Sequence, residues 1–176
     1  MLARDGYETS GIDISERAIA FARQRLAHEG LRADVRVGSA TQLPWEAGSL
    51  DAVISHGVLD HMVWDDARQV VQEVARVLKP RGLFYLSLIS TRESGFGQGQ
   101  ALDPYTYIVP DGIEGGAVQR FFELAHIRDL LPDAFEVLDV VHDEWQAVHG
   151  RGFSALDKSH SHYPRLARFH VAATRR

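Results

Sequence analysis

The sequence has no cysteine, and that absence removes disulfide frameworks, thiolate nucleophiles and cysteine-ligated metals from consideration. It also lacks any apolar run approaching the ~20 residues that cross a bilayer, so no membrane partner is expected. Its opening, MLARDGYETS, has no apolar core of the secretory kind, and the expected location is the cytoplasm. Positive charge is not in excess either. The net charge is −5 and the pI about 6.0, whereas nucleic-acid binders usually carry a basic face, so no nucleic-acid partner is expected.

What remains is ordinary for one globular domain: 176 residues, 45% hydrophobic and 24% charged. Residues 1–89 alternate short apolar runs with helix-period stretches, the pattern of βαβ units and a parallel sheet. The segment 7–14 reads as a strand ending in GIDI. Ser15 is placed to cap a helix, Glu16 puts a carboxylate near its positive end, and Gly30 is a natural stop. Val35 and Val37 alternate with Asp34 and Arg36 in a second strand. LDAVIS (50–55) suits a buried parallel strand. From Asp65 to Leu78 apolar residues follow helical spacing, and Lys79-Pro80-Arg81-Gly82 breaks that helix before LFYLSLI, another buried strand.

The second half is less regular. Residues 90–116 are rich in glycine and show no clear periodicity, and a loop of that length inside a compact domain is usually functional or disordered. Phe121–Leu131 reads as a helix, while 135–142 and 168–174 read as strands. A second irregular stretch covers 143–164. No linker or repeat divides the chain, so a single domain over 1–176 is expected, with 90–116 and 143–164 as lid or substrate segments.

Chemistry concentrates at strand ends. Asp13 closes the GIDI strand just before a helix, and an acidic residue there can accept both hydroxyls of a ribose. Aspartate beside a helix start is also a common cap, and both readings stand. VGSATQLPW (37–45) follows the next strand, then SLDAVISHGVLDHM (49–62) and VARVLKPRGLFYLSL (74–88). In this order and spacing the four stretches resemble the class I S-adenosylmethionine-dependent methyltransferases, particularly the branch acting on small molecules.

The resemblance implies an α/β, Rossmann-like, mostly parallel sheet flanked by helices, with S-adenosylmethionine as cofactor and a small-molecule substrate. It places Asp13 on the ribose diol and Ile14 against the adenine ring. Ser39 and Ala40 stand where the family sets an acidic residue and its neighbour at the adenine edge, with serine here in place of the acid. Gln42 and Leu43 line the adenine pocket, and His56 and Gly57 lie beside the methionine part. His61 falls at the rim of the substrate pocket, where an imidazole near neutral pH can take a proton from a hydroxyl or amine nucleophile. Packing at a helix start is the competing role for His61.

One part of the family pattern is missing. Its first strand and the G-x-G-x-G turn after it are absent, and MLARDGYETSGIDI looks like the tail of the first helix running into the second strand. GFGQG at 95–99 has similar spacing but follows the wrong strand and opens no helix. The missing strand is central, so its loss leaves unpaired backbone between the GIDI and LDAVIS strands. The expectation is that residues 1–176 alone hold the cofactor poorly, with a homodimer or a partner chain filling the gap; a non-catalytic or partner-completed methyltransferase-like protein is the alternative reading. An NAD-binding Rossmann oxidoreductase is the other enzyme reading, since Asp13 also suits an NAD ribose. His160 and His162 form an H-x-H pair, but no third ligand is spaced with them, so no metal is expected.

Overall fold

The computed structural model describes residues 2–110, 115–146 and 165–176. Strand β1 (Ser10–Asp13) leads into helix α1 (Glu16–His28) and strand β2 (Asp34–Val37). Strand β3 (Leu50–His56) follows, then a 3-10 turn at Leu59–His61, helix α2 (Trp64–Val77) and strand β4 (Leu78–Ile89). Three short strands come next: β5 (Gln100–Asp103), β6 (Thr106–Ile108) and β7 (Val118–Arg120). Helix α3 (Leu124–Leu130) precedes two long strands, β8 (Phe135–Gln146) and β9 (Arg165–Arg175).

The parallel sheet is in two pieces. β1 pairs with β2 in parallel, and the larger sheet runs in the order β3-β4-β9-β8. Within it β3 and β4 are parallel, while β9 is antiparallel to both β4 and β8. No ladder joins β1 to β3. The gap falls between the GIDI and LDAVIS strands, where the sequence places it.

The core lies on one face of the larger sheet. Ala67, Val70, Val71, Val74 and Val77 of α2 are buried there, as their 3–4-residue spacing dictates. They cluster with Phe84, Leu86 and Leu88 of β4, with Phe169, Val171 and Ala173 of β9, and with Ile127 and Leu130 of α3. The opposite face is open. Ile54, Leu83, Val141 and Trp145 are 56%, 53%, 44% and 43% exposed.

A polar clamp fixes the LPW loop to α2. Arg76 donates from Nη2 to the carbonyl of Leu43 and from Nη1 to that of Trp45, while Glu73 accepts the Leu43 N–H at 2.8 Å. The Arg76 guanidinium beside Glu73 holds that carboxyl below its ordinary range, against the opposing effect of burial.

Two stretches differ from their sequence reading. Part of 90–116 is not irregular: residues 100–120 contain an antiparallel three-stranded sheet, β5-β6-β7. Its strands are only three or four residues long, too short for alternation to register. The sheet is held by a side chain, the buried Arg120, which bonds Asp103 at 3.0 Å and the Thr106 hydroxyl. Residues 143–146 extend β8; 147–164, with His160 and His162, lie outside the described residues. Helix α3 begins at Leu124, later than Phe121, because the buried Phe121 and Phe122 precede it, Phe122 bridging to Ser90 beside β4.

Candidate functional site

The last residues of β1 and β3 and the loops after β1, β2 and β3 carry every candidate except His61, which sits just beyond the third loop in the 3-10 turn. At the end of β1 the Asp13 Oδ1 accepts the Ser15 N–H at 2.8 Å, and Ser15 itself caps α1 through the Ala18 N–H. Capping is therefore done by Ser15. The Asp13 carboxylate is exposed, and its second oxygen has no protein partner among the described residues. The Gly38 N–H donates to the Asp13 carbonyl at 2.9 Å and ties the two strand tips together. Ile14 is 76% exposed, an apolar side chain set on open surface beside Asp13.

After β2, the Ser39 hydroxyl lies 2.7 Å from that of Thr41 and accepts the Thr41 N–H. The Gln42 N–H bonds the Ser39 carbonyl, and the Gln42 side chain is exposed. Ala40 packs against the core cluster and Leu43 is 8% exposed within it. Asp13, Ile14, Ser39 and Gln42 thus share the open rim of the small sheet, while Ala40 and Leu43 turn inward beneath them.

On the larger sheet His56 is exposed at the tip of β3. Gly57 follows with φ +65°, a left-handed conformation that side chains rarely adopt. Its N–H donates to the Ser87 hydroxyl at 3.1 Å. His61 is exposed, with Nδ1 3.2 Å from the Val118 carbonyl on β7. A carbonyl only accepts, so Nδ1 carries the hydrogen and, in the neutral ring, Nε2 keeps a lone pair. His61 therefore both docks the small antiparallel sheet and retains a proton acceptor.

Three features were not picked out from sequence. Asp60 is fully buried, with Oδ1 accepting the Ile89 N–H at 2.7 Å and Oδ2 accepting from Arg168 at 2.9 Å. Burial pushes the Asp60 carboxyl up despite both partners. The Arg120 guanidinium lies 4.6 Å from the Trp64 ring centre and docks β7 on the start of α2. A cavity of about 420 Å³ opens beyond the end of β4, lined by Ser90, Thr91, Arg92, Leu124, His142 and Phe169 among others, within the size range of small-molecule sites. Asp60, Arg168 and Arg120 acquire meaning only from strand pairing and burial. Among the described residues no group of three acidic or histidine side chains is placed to hold a metal.

Comparison with known proteins follows the same lines. The profile of a family described as a methyltransferase domain matches residues 1–86. A probable S-adenosylmethionine-dependent methyltransferase of Mycolicibacterium smegmatis is 32% identical over 151 residues, which is 85% of this chain and 50% of that protein. A ubiquinone biosynthesis O-methyltransferase of Xanthomonas axonopodis pv. citri is 32% identical over 96 residues, 54% of this chain and 39% of that protein. The chain thus spans about half or less of the length of these relatives. A crystal structure of a Methanosarcina mazei methyltransferase superposes with TM-score 0.77 at 21% identity, covering 99% of this chain and 84% of that one. A Pyrococcus horikoshii structure gives 0.72 at 22%, covering 99% and 74%. At those identities the superpositions speak for the fold.

Proposed function

As the chain belongs to the class I S-adenosylmethionine-dependent methyltransferases, we infer that it serves methyl transfer to a small-molecule acceptor in the cytoplasm, once the gap in its sheet is filled. The observation that carries this reading is the shared rim of Asp13, Ile14, Ser39 and Gln42 at the tips of parallel strands, where open α/β sheets bind nucleotides. The donor set fits the nucleoside half of the cofactor. The open oxygen of Asp13 suits a ribose diol, and Ile14 offers an apolar surface to a base. Ser39 and Gln42 supply hydroxyl and amide partners for the base's polar edge. S-adenosylmethionine, when bound, supplies an electrophilic methyl group on a sulfonium.

The chain's own work is placement and proton handling. His56 and Gly57 border the approach from β3, the left-handed Gly57 leaving no side chain to obstruct it. His61 Nε2 takes the proton that a hydroxyl or amine acceptor gives up as it is methylated. Holding two reactants in line supplies much of the acceleration such a displacement needs.

The gap is the missing part of the site. β1 and β3 are each paired on one side only, and a parallel strand between them would join the two pieces of the sheet. We assign that place to a strand that the described residues do not supply, whether from another segment of the same protein, a second copy or a partner chain. Calorimetry of residues 1–176 with S-adenosylmethionine and with NAD tests the reading. Neither should bind at micromolar levels to the chain alone. Coexpression with a segment supplying a parallel strand and glycine turn should restore S-adenosylmethionine binding and not NAD binding. Preference for NAD would overturn the methyltransferase assignment, and micromolar S-adenosylmethionine binding by 1–176 alone would overturn the role given to the gap.

A further inference from the structure

Arg168 is the side chain on β9 that reaches the loop after β3. Its Nη1 bonds Asp60 Oδ2 at 2.9 Å and lies 3.5 Å from the Ser87 hydroxyl. That hydroxyl is the acceptor of the Gly57 N–H. A Cβ built on Gly57 would come within 3.9 Å of the same Nη1. The guanidinium therefore lies directly under the turn that joins β3 to the His61-bearing 3-10 turn. Asp60 anchors it from the opposite side, its other oxygen fixed by the Ile89 N–H at the end of β4. A second carboxylate, Glu93, accepts the neighbouring Ala167 N–H at 2.6 Å and feels the charges of both Arg168 and Asp60.

Fold stability alone does not call for this arrangement. A buried ion pair is often replaceable by apolar residues of similar volume with no loss of stability, because desolvation offsets the attraction. What an apolar pair cannot supply is direction: two charge-assisted bonds fix the positions of three elements relative to one another. The elements tied here are β9, the end of β4 and the His56–His61 loop.

We propose that Arg168, through Asp60 and Ser87, is the positioning residue that holds the His56–His61 loop in register with the tip of β4. Its functional meaning rests on the methyltransferase reading, in which that loop borders the donor and carries the proton acceptor; the brace itself does not. Arg168 touches no reacting atom.

The test is amide hydrogen exchange on chain 1–176, with thermal midpoints measured in parallel. Replacing the pair by apolar groups, Arg168→Met with Asp60→Leu, should lower the midpoint only modestly, because the Ile89 N–H loses its acceptor. Exchange at Gly57 to His61 should accelerate about tenfold or more while β8 and the distal half of β9 stay protected, since local openings are read independently of global ones. The conservative Arg168→Lys should retain much of the protection. Unchanged exchange in the loop would overturn the proposal, and so would acceleration spread evenly over the sheet. Should the double variant not fold, Arg168→Lys against Arg168→Gln decides: at least threefold better protection with Lys supports the brace, and equal protection refutes it. Absence of S-adenosylmethionine binding with the gap filled would sink the functional reading and leave the exchange result standing.

Discussion

The two faces of the four-stranded sheet both carry large apolar residues, mixed with polar ones on the second face, and live in opposite surroundings. One face buries Phe84, Leu86, Leu88, Phe169 and Val171 beneath α2 and α3. The other shows Ile54, Leu83, Val141 and Trp145 to solvent. Parallel strands are normally covered on both sides, which is why LDAVIS reads as a continuous apolar run with little alternation. The sequence of β3 is thus written for two covers, and the described residues supply one. β3 carries both the bare face at Ile54 and the open edge of the larger sheet, so a single strand-plus-helix unit beside it would answer both, given that parallel strands are joined through crossover helices.

The largest contrast comes from placing the same charge on each face. Val71→Asp sets a carboxylate in a site that is fully enclosed with no partner, a change that costs several kcal/mol against a typical stability of about 5–15 kcal/mol. The variant should be unfolded or nearly so by circular dichroism at 25 °C. Ile54→Asp should shift a urea midpoint little, within about 0.5 kcal/mol, as surface substitutions do. Comparable losses at the two positions would mean that the open face is covered in solution, by a second copy for instance, and sedimentation would identify that state.

A smaller effect is expected at the clamp that holds the LPW loop. Glu73→Ala leaves the Leu43 N–H and the Arg76 guanidinium without their shared partner, and the loss should be about 1 kcal/mol, since Glu73 is 20% exposed and partly screened. The pH dependence has a definite sign. The Glu73 pKa in the folded chain is below its ordinary 4.5, so its contribution is present above that value and fades as pH falls through the lower folded-state pKa. Asp60 runs the other way: its raised pKa favours the folded state at low pH and weighs against it as pH rises through that pKa. Acid titration of the thermal midpoint should therefore drop less steeply in Glu73→Gln than in the wild type. A parallel drop would show that Glu73 does not carry this term.

Much of the fold was legible because it rests on local patterns. The spacing of Val70, Val71, Val74 and Val77 located α2, and the Ser15–Glu16 pair located the start of α1. The break at Lys79-Pro80-Arg81-Gly82 located the end of α2, although β4 is continuous from Leu78. Even the gap could be read, as a missing motif in an ordered set. The β5-β6-β7 sheet could not, since it is held by Arg120, Asp103 and Thr106, whose contacts no periodicity announces. In the candidate site, Asp13 stood out from its place at a strand end before a helix, while Ile14, His56 and Gly57 were placed by the family resemblance, and the binding experiment decides their roles. Asp60 and Arg168 are 108 residues apart in sequence and meet only through strand pairing, so neither carried a signal that set it apart from other charged residues.

The smallest expected effect tests whether an ion pair at the gap edge of the sheet has any weight. Lys79 Nζ lies 2.7 Å from Asp51 Oδ1, a short contact by distance. Yet Asp51 is 85% exposed and Lys79 45%, so water and salt screen the attraction and both long side chains lose freedom in making it. Asp51→Asn should leave the thermal midpoint of the isolated chain within error of the wild type at physiological salt. Once a strand fills the gap beside β3, the same pair becomes less exposed and its geometry more confined. A measurable loss in Asp51→Asn for the completed protein, with none in the chain alone, would mark this edge as part of the filled interface; an equal null in both would place the inserted strand away from Asp51.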